Sequence, residues 1–372
     1  MPRTPDDHGE RLYRRALNVR RDDAARLALF LQGARLGHAE CAWQAGRFLV
    51  RGWGCDADPR RGFALLERSA TAGCGDAYWQ LARFHQEGVG TARSPRHALG
   101  YALRGYGITR TAHCATMAAD IYAHDLLEER LAAKWYRRGA LAGDTDAMTS
   151  LGVACRYGRG VAEDWAEAVR WYRRAARRGC ANATSNLGIC YRNGEGVRKD
   201  ARRAYEYRVR AAALGHAQSA LAVAECLIDG TGVRRDVQRG LAALHALARR
   251  DPQGAHQLGE RYLEGSGVPR DRRRGIRWLR RAARGGDANA LTTLGVCTYY
   301  GRGVRRDHAE AARLYRQAAE RGSADAWRNL GLCYRDGEGV ERNLPRARAC
   351  FARAREHGVE CDEDGEKDGA AR

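Results

Sequence analysis

The sequence predicts an all-α fold in which antiparallel helix pairs stack into a solenoid. Three observations lead to this prediction. A Gly-x-Gly motif recurs about every 36 residues along a chain of 372. A Leu-Gly pair or its relic stands seven residues before the motif, and an Asp, Asn or Ser stands four residues after it. Because a fixed period of roughly 20–50 residues is typical of repeat architectures, we expect one continuous array.

The Gly-x-Gly motif is predicted to form the turn inside each repeat, since glycine tolerates the positive φ with which many helices end. Its glycines are Gly52/Gly54, Gly88/Gly90, Gly158/Gly160, Gly194/Gly196, Gly230/Gly232, Gly265/Gly267, Gly301/Gly303 and Gly337/Gly339. The interval from Gly88 to Gly158 is 70 residues, close to twice the period. A further repeat is therefore expected there, with the stretch from Tyr122 to His124 in place of the glycines.

The residues around the motif predict where the helices begin and end. In one repeat, a first helix is expected from about Asn182 to Arg192, and a second from Asp200 to about Ala212. Short polar side chains cap helix N-termini by accepting hydrogen bonds from unpaired backbone amides. The predicted caps of the second helices are Asp58, Ser94, Asp164, Asp200, Asp236, Asp271, Asp307 and Asn343.

The predicted array spans residues 10–357, with a partial first repeat and a degenerate repeat near residues 107–142. Residues 1–9 are expected to be disordered. Residues 358–372 contain an acidic, glycine-containing stretch without apolar periodicity, and they are expected to be a disordered tail.

Charge narrows the class of partner. The chain carries 65 Lys and Arg against 45 Asp and Glu, for a formal net charge of +20, and only three of the basic residues are lysines. Such a balance is compatible with acidic protein, nucleic acid or an anionic surface. The first ten residues lack the apolar core of a secretory signal, and no run of about 18 apolar residues occurs. We expect a cytoplasmic monomer without membrane insertion, while nuclear or non-classically exported locations stay open.

Catalytic and cofactor motifs are not found in the sequence. A phosphate-binding P-loop needs Ser or Thr after its lysine, but Asp200 follows Lys199. The chain contains no H-E-x-x-H, no Gly-x-Ser-x-Gly and no C-x-x-C. A non-enzymatic protein without cofactor or metal is expected.

The string "AARRGCANATSNLGICYRNGEGVRKDARRA" resembles the Sel-one-like repeat, a relative of the tetratricopeptide repeat. The resemblance implies a right-handed superhelix of about nine to ten helix pairs of about 36 residues, which acts as an adaptor. A cysteine-rich branch of that family is similar to β-lactamase-associated proteins and pairs two cysteines within each repeat. In this chain Cys190, Cys226, Cys297 and Cys333 share one column, so buried, reduced thiols are expected instead.

If first helices line a concave groove, as the tetratricopeptide resemblance implies, their exposed positions are candidate contacts for an extended peptide. These candidates are Asn182, Ser185, Asn186, Arg192, Asn193, Thr293, Tyr300, Asn329, Arg335, Trp79, Gln80 and Arg83. Basic residues beside the turns are expected to form ladders, and they are Arg198, Lys199, Arg234, Arg235, Arg305 and Arg306. The sequence thus predicts a scaffold for protein or peptide partners with acidic segments. A nucleic-acid-associated solenoid is the first alternative, and a hydrolase of the cysteine-rich branch is the second.

Overall fold

A computed structural model describes residues 5–359 and 361, with side chains from residue 8 onward. Over this range the chain forms twenty α-helices and no β-strand. Successive helices pack as antiparallel pairs joined by short turns. The predicted fold class, a helical repeat solenoid, is confirmed. The chain divides into two compact units, one up to Asp200 and one from Ala201 onward.

The first unit contains five helix pairs and one further first helix. Its helices are α1 (Pro5–Asn18), α2 (Asp23–Arg35), α3 (Ala39–Arg51), α4 (Pro59–Thr71), α5 (Gly75–Glu87), α6 (Pro95–Thr109), α7 (Ala112–His124), α8 (Glu129–Leu141), α9 (Thr145–Tyr157), α10 (Trp165–Arg177) and α11 (Ala181–Asn193).

The second unit begins with a second helix and continues with four pairs. Its helices are α12 (Ala201–Ala213), α13 (Ala217–Asp229), α14 (Val237–Ala248), α15 (Pro252–Glu264), α16 (Arg272–Arg284), α17 (Ala288–Tyr300), α18 (His308–Glu320), α19 (Ala324–Asp336) and α20 (Leu344–Glu356). One continuous apolar core runs from Leu221 on α13 to Ala326 on α19. Neighbouring pairs therefore complete each other's core, as two short helices alone cannot.

Polar side chains cap the second helices as the sequence predicts. The carboxylate of Asp164 accepts a hydrogen bond from the Glu167 amide at 2.7 Å, and Asp307 accepts one from the Glu310 amide at 2.9 Å. Equivalent bonds are made by Asp58, Ser94, Asp236, Asp271 and Asn343. Each bond satisfies one of the amides that a helix N-terminus leaves unpaired.

The two glycines of each turn meet different requirements. The first ends the helix with a positive φ, as at Gly194 (φ 85°). The second also has a positive φ, and it lies against the preceding pair. A Cβ built on Gly160 would lie only 2.1 Å from the carbonyl oxygen of Glu129, at the start of α8. The turns therefore hold neighbouring pairs close together, and this contact has no room for a side chain.

The two glycines occupy different parts of the connection between the helices. The hydrogen-bonded turn ends the helix at the first glycine, and the second lies in the bend that follows. The second glycines concerned are Gly160, Gly196, Gly232, Gly303 and Gly339.

Each of these second glycines acts as a spacer between helix pairs. A Cβ on Gly232 would stand 2.0 Å from the Ala201 carbonyl oxygen at the start of α12, and one on Gly339 would stand 2.0 Å from that of His308 at the start of α18. At Gly303 the nearest atom is the Cβ of Arg272, at 2.8 Å. Sequence spacing could not reveal this role, because the contact is made with a helix about 31 residues earlier.

The degenerate repeat departs from the prediction in its turn. Tyr122 to His124 end α7 instead of replacing the glycines, and the turn is formed by Asp125, Leu126 and Leu127. Leu127 takes the positive φ, at 56°. The amide of Glu128 bonds the Tyr122 carbonyl at 2.8 Å, just as Asp200 bonds Tyr191, but across six residues instead of nine. A deletion of three turn residues, and not the loss of a helix, makes this repeat irregular.

The structure describes part of each end that the sequence predicts to be disordered. Helix α1 starts at Pro5. Gly9 on this helix is buried, and its carbonyl oxygen lies 3.7 Å from the Cys41 sulfur of α3. At the other end, the amide of Val359 bonds the Ala354 carbonyl, and Cys361 is buried against the last pair. Residues 1–4, 360 and 362–372 lie outside the described residues, so the prediction for them stays a prediction.

Candidate functional site

The groove candidates on α11 divide into two groups. Asn182 is exposed, and Ser185 and Asn186 are half-buried on the same helix. Arg192 and Asn193 lie together at the exposed C-terminal end, where the Arg192 guanidinium donates to the Asn193 amide oxygen at 3.0 Å. This neighbour contact holds Arg192 in place.

On α5, Trp79 and Arg83 lie together. The Arg83 guanidinium stands 5.3 Å from the centre of the Trp79 ring and bonds Glu87 at 2.7 Å. Both side chains are half-buried and accessible from one side. Gln80, expected to be exposed, is instead 1% exposed, because it lies on the face of α5 that packs into the core.

The candidates on α17 and α19 are partly engaged within the fold. The hydroxyl of Thr293 lies 3.3 Å from His256 Nε2 on the preceding first helix, so it joins two repeats. Tyr300 is 60% exposed, with the Arg302 guanidinium 4.9 Å from its ring centre. Asn329 is half-buried. Arg335 donates to the carboxylate of Asp336 at 2.7 Å, so part of its charge is neutralised.

The basic residues beside the turns have two roles, which the sequence did not reveal. In four repeats the arginine five residues after the first glycine of the turn bonds a backbone carbonyl near the end of the first helix, whereas Arg306, at the same position, bonds the His308 side chain. Arg235 bonds Ile228 at 2.9 Å, and Arg342 bonds Arg335 at 3.1 Å. Arg93 and Arg270 bond in the same way. A cation at a helix C-terminus stabilises the unpaired carbonyls there.

The first members of these pairs, Arg198, Arg234 and Arg305, are exposed, as are Lys199, Arg235 and Arg306. Their column is interrupted by Pro269 and Glu341. The predicted ladder is therefore a set of separate exposed arginines within each unit, and not a continuous strip.

A larger basic surface lies on α16 and its neighbours, and we call it the α16 arginine face. It comprises Arg274, Arg277, Arg280, Arg281 and Arg284. A hollow of about 420 Å³ is lined by Arg274, Arg277, Arg281 and Arg284 together with His245, Tyr262 and Trp278. A second hollow, of about 540 Å³, lies between α16 and α18, and its lining includes Arg280, Arg284 and Arg305. Arg284 lines both hollows. The density of arginine in α16 was the sequence signal for this face.

Electrostatics make this face receptive to anions. Within the described chain, no carboxylate forms an ion pair with Arg277, Arg280 or Arg284. Burial, with Arg249 and Arg274 nearby, lowers the pKa of His245. Arg281 donates hydrogen bonds to the carbonyls of Ala248 and Arg249 at 3.2 and 2.6 Å, so it caps the C-terminal end of α14. Three arginines of the face thus remain available to a partner.

All twelve cysteines are unpaired, and nine of them are buried. Burial raises the pKa of Cys190 and of Cys333 to about 11. These thiols are core side chains and not nucleophiles, because a reactive cysteine needs a lowered pKa and access to solvent. Among the described residues no cluster of His, Cys, Asp and Glu could hold a metal ion, and no helix is long and apolar enough to cross a membrane.

Comparison with protein families identifies this architecture. The Sel1 repeat matches the chain in nine segments, which together cover most of its length. The chain belongs to the Sel1 repeat family. The matched segments are residues 39–74, 75–106, 127–144, 145–180, 181–216, 216–242, 252–287, 288–323 and 324–359. The match omits residues 107–126, which include α7, the first helix of the degenerate repeat.

Solved structures of Sel1 repeat proteins share the fold. A Sel1 repeat protein from Oxalobacter formigenes is 25% identical, with a TM-score of 0.53 over 93% of this chain and 90% of that chain. The c5321 protein, a protective antigen of uropathogenic Escherichia coli, is 24% identical, with a TM-score of 0.53 over 88% of this chain and 79% of that chain. A search of curated protein sequences gives no significant match. Sel1 repeat proteins generally act as scaffolds for protein–protein interactions.

Proposed function

We propose that this Sel1 repeat protein is a non-enzymatic scaffold that binds acidic segments of partner proteins through the α16 arginine face and the groove side of its first helices. The observation that carries the proposal is the presence of Arg277, Arg280 and Arg284 on one helix face, exposed and in no ion pair within 4 Å among the described residues. Arginine binds carboxylates through two parallel hydrogen bonds, which favours acidic protein as the ligand.

The spacing of these arginines suits an extended acidic chain. Residues three or four apart on a helix lie roughly 5–6 Å apart along its axis. Side chains on one face of an extended peptide repeat about every 6.6 Å. Alternate acidic residues of such a peptide can therefore meet successive arginines of α16. The aromatic rings of Tyr262 and Trp278 beside them provide apolar contact area.

The buried positions of the side chains with raised pKa values support a non-enzymatic role. Burial raises the pKa values of Tyr172, Cys190 and Tyr315, and each of these side chains lies in a helix–helix core. Catalytic groups need substrate access as well as a shifted pKa. Unpaired, buried thiols suit a reducing compartment, and we place the scaffold in the cytoplasm on that basis.

The test measures binding of a fluorescein-labelled twelve-residue polyglutamate peptide by anisotropy. The triple variant Arg277→Glu/Arg280→Glu/Arg284→Glu is expected to bind at least about tenfold more weakly, since charge pairs contribute about 1 kcal/mol or more each. The control triple Arg60→Glu/Arg96→Glu/Arg348→Glu changes three exposed arginines elsewhere. It has the same net charge as the first triple variant. Its affinity is expected to change less than about twofold.

Equal weakening in both triple variants would show that net charge, and not the α16 arginine face, governs binding. Crosslinking followed by mass spectrometry in the native cell extends the test to natural partners. Crosslinks that avoid both α16 and the first helices would contradict the proposal.

A further inference from the structure

In most pairs, the second-last residue of the first helix reaches into the turn of the next pair. On α9 this residue is Arg156, whose guanidinium bonds the Glu195 carboxylate at 2.7 Å and stands 5.4 Å from the Trp165 ring centre. On α17 it is Tyr299, whose hydroxyl donates to the Glu338 carboxylate. In both cases a long planar side chain fills the space between the pairs and bonds the middle residue of the next Gly-x-Gly turn.

Other pairs fill the same position differently. On α5, Gln86 bonds the Asp125 carboxylate of the next turn at 2.5 Å. On α3 and α13 the residues are Val50 and Ile228, which pack against the second glycine of the following turn. A Cβ added to Gly90 would lie 2.9 Å from Val50, and one added to Gly267 would lie 2.4 Å from Ile228. The position is therefore normally occupied from within the chain.

On α7 the second-last residue is Ala123, and the space stays open. A cavity of about 220 Å³ lies between α7, α8 and α9. Its walls include Ala123, Ala132, Ala133, Val153, Ala154 and Tyr136. The volume suits a single side chain, since pockets for whole small-molecule ligands measure roughly 300–1,000 Å³.

The polar groups inside the cavity are largely satisfied by the protein. The Tyr136 hydroxyl donates to Asp120 at 2.7 Å, and the Thr149 hydroxyl donates to the Thr145 carbonyl at 2.8 Å. The interior therefore favours an apolar stem, since an unpaired polar group there would lose its hydration without compensation.

The charge at the mouth of this cavity is opposite to that in the repeats where Arg156 and Tyr299 fill the space. The middle residue of the next turn is Arg159, where Glu195 and Glu338 stand in the two repeats that Arg156 and Tyr299 fill. Arg159 is exposed, and no carboxylate in the described chain pairs with it. His124 and Glu129 complete the rim. The mouth thus offers a guanidinium donor where the repeats filled by Arg156 and Tyr299 offer a carboxylate acceptor.

We propose that this cavity receives a glutamate side chain from a partner's extended acidic segment. The two methylene groups pack against the alanines, and the carboxylate accepts hydrogen bonds from Arg159. The partner thereby supplies the filling side chain that α7 lacks. The proposal rests on the proposed function, because it names one anchor residue of the acidic partner.

The test uses the full chain with ¹³C-labelled alanine methyl groups and hexaglutamate as the probe. We expect shifts at the methyl signals of Ala123, Ala132, Ala133 and Ala154. Hexaglutamine is expected to cause no shift, and Arg159→Gln to weaken the hexaglutamate effect at least about fivefold. The double variant Ala123→Tyr/Arg159→Glu copies the Tyr299/Glu338 arrangement. It is expected to fill the cavity and abolish the response while the protein stays folded.

Equal shifts with hexaglutamine, or tighter binding of a hexapeptide with a central phenylalanine, would overturn the assignment to glutamate. Hexaglutamate that shifts methyl groups near α16 but none of those four would overturn this inference and leave the proposed function intact. Shifts at the four alanines with none near α16 would instead refute the part of the proposed function that rests on the α16 arginine face.

Discussion

Gly196 lies directly on the backbone of Trp165, the first residue of α10. A Cβ built on Gly196 would stand 2.2 Å from the Trp165 carbonyl oxygen and 2.4 Å from its carbonyl carbon. The same glycine has a φ of 67°. Two independent demands, a left-handed backbone and a close approach between repeats, therefore coincide at one residue.

Replacement of Gly196 by alanine is expected to destabilise the first unit by about 3 kcal/mol or more. Backbone strain alone contributes roughly 1–2 kcal/mol, and the clash with α10 adds to it. Gly179→Ala is the matched control, because Gly179 has a φ of 85° but no atom within 4 Å of an added Cβ. It is expected to cost only the strain of roughly 1–2 kcal/mol. Urea unfolding measures both, and equal losses would show that the contact is not tight.

The capping carboxylate of Asp164 is expected to contribute about 1 kcal/mol to the stability of α10. Asp164→Ala leaves the Glu167 amide unpaired, whereas Asp164→Asn keeps an acceptor oxygen at the same place. The alanine variant should lose about 1 kcal/mol, and the asparagine variant only a few tenths. Thermal unfolding followed by circular dichroism compares the two. Identical midpoints would argue against a capping role.

His256 is expected to make stability depend on pH. Burial opposes its protonation, but Glu260 at 3.2 Å and Asp287 at 3.7 Å outweigh burial and raise its pKa. A raised folded pKa means that the contribution is complete below the unfolded value of about 6.5 and is lost as pH rises through the folded pKa. His256→Gln should therefore destabilise the protein more at about pH 5.5 than at about pH 8.5.

Unfolding midpoints at the two pH values measure this effect. Each midpoint is compared with that of the unaltered protein at the same pH. A loss of stability in His256→Gln that did not vary with pH would assign His256 a packing role only.

Thiol reactivity is expected to follow burial. Cys55 is the one exposed cysteine, so one thiol per native chain should react rapidly with a disulfide reagent. Burial raises the pKa of Cys190 to about 11, which lowers its thiolate fraction roughly a hundredfold, and access is restricted as well. Under denaturing, non-reducing conditions all twelve thiols should titrate. A count of ten or fewer free thiols in the denatured protein would reveal a disulfide and contradict the structure.

The periodic residues determine the architecture because they act within one repeat. Asp164 caps a helix through a neighbour three residues away, and Gly194 ends a helix through its own φ. Such local effects can be read from spacing, so the helix pairs, their turns and the Sel1 repeat family were predictable. The N-terminal helix was not, because Gly9 owes its burial to Cys41, a residue 32 positions away.

The sequence by itself therefore determined the repeat, the number of helix pairs and the surplus of arginine. Only the tertiary structure decided which polar residues face solvent, which basic residues close helix ends, and which arginines of α16 are left without partners. It also showed that Ala123 leaves a cavity that Arg156 and Tyr299 fill elsewhere. The physical reason is that these properties depend on side-chain contacts whose presence the repeat period does not record, from Arg235 and Ile228, seven positions apart, to Arg156 and Glu195, which are 39 positions apart.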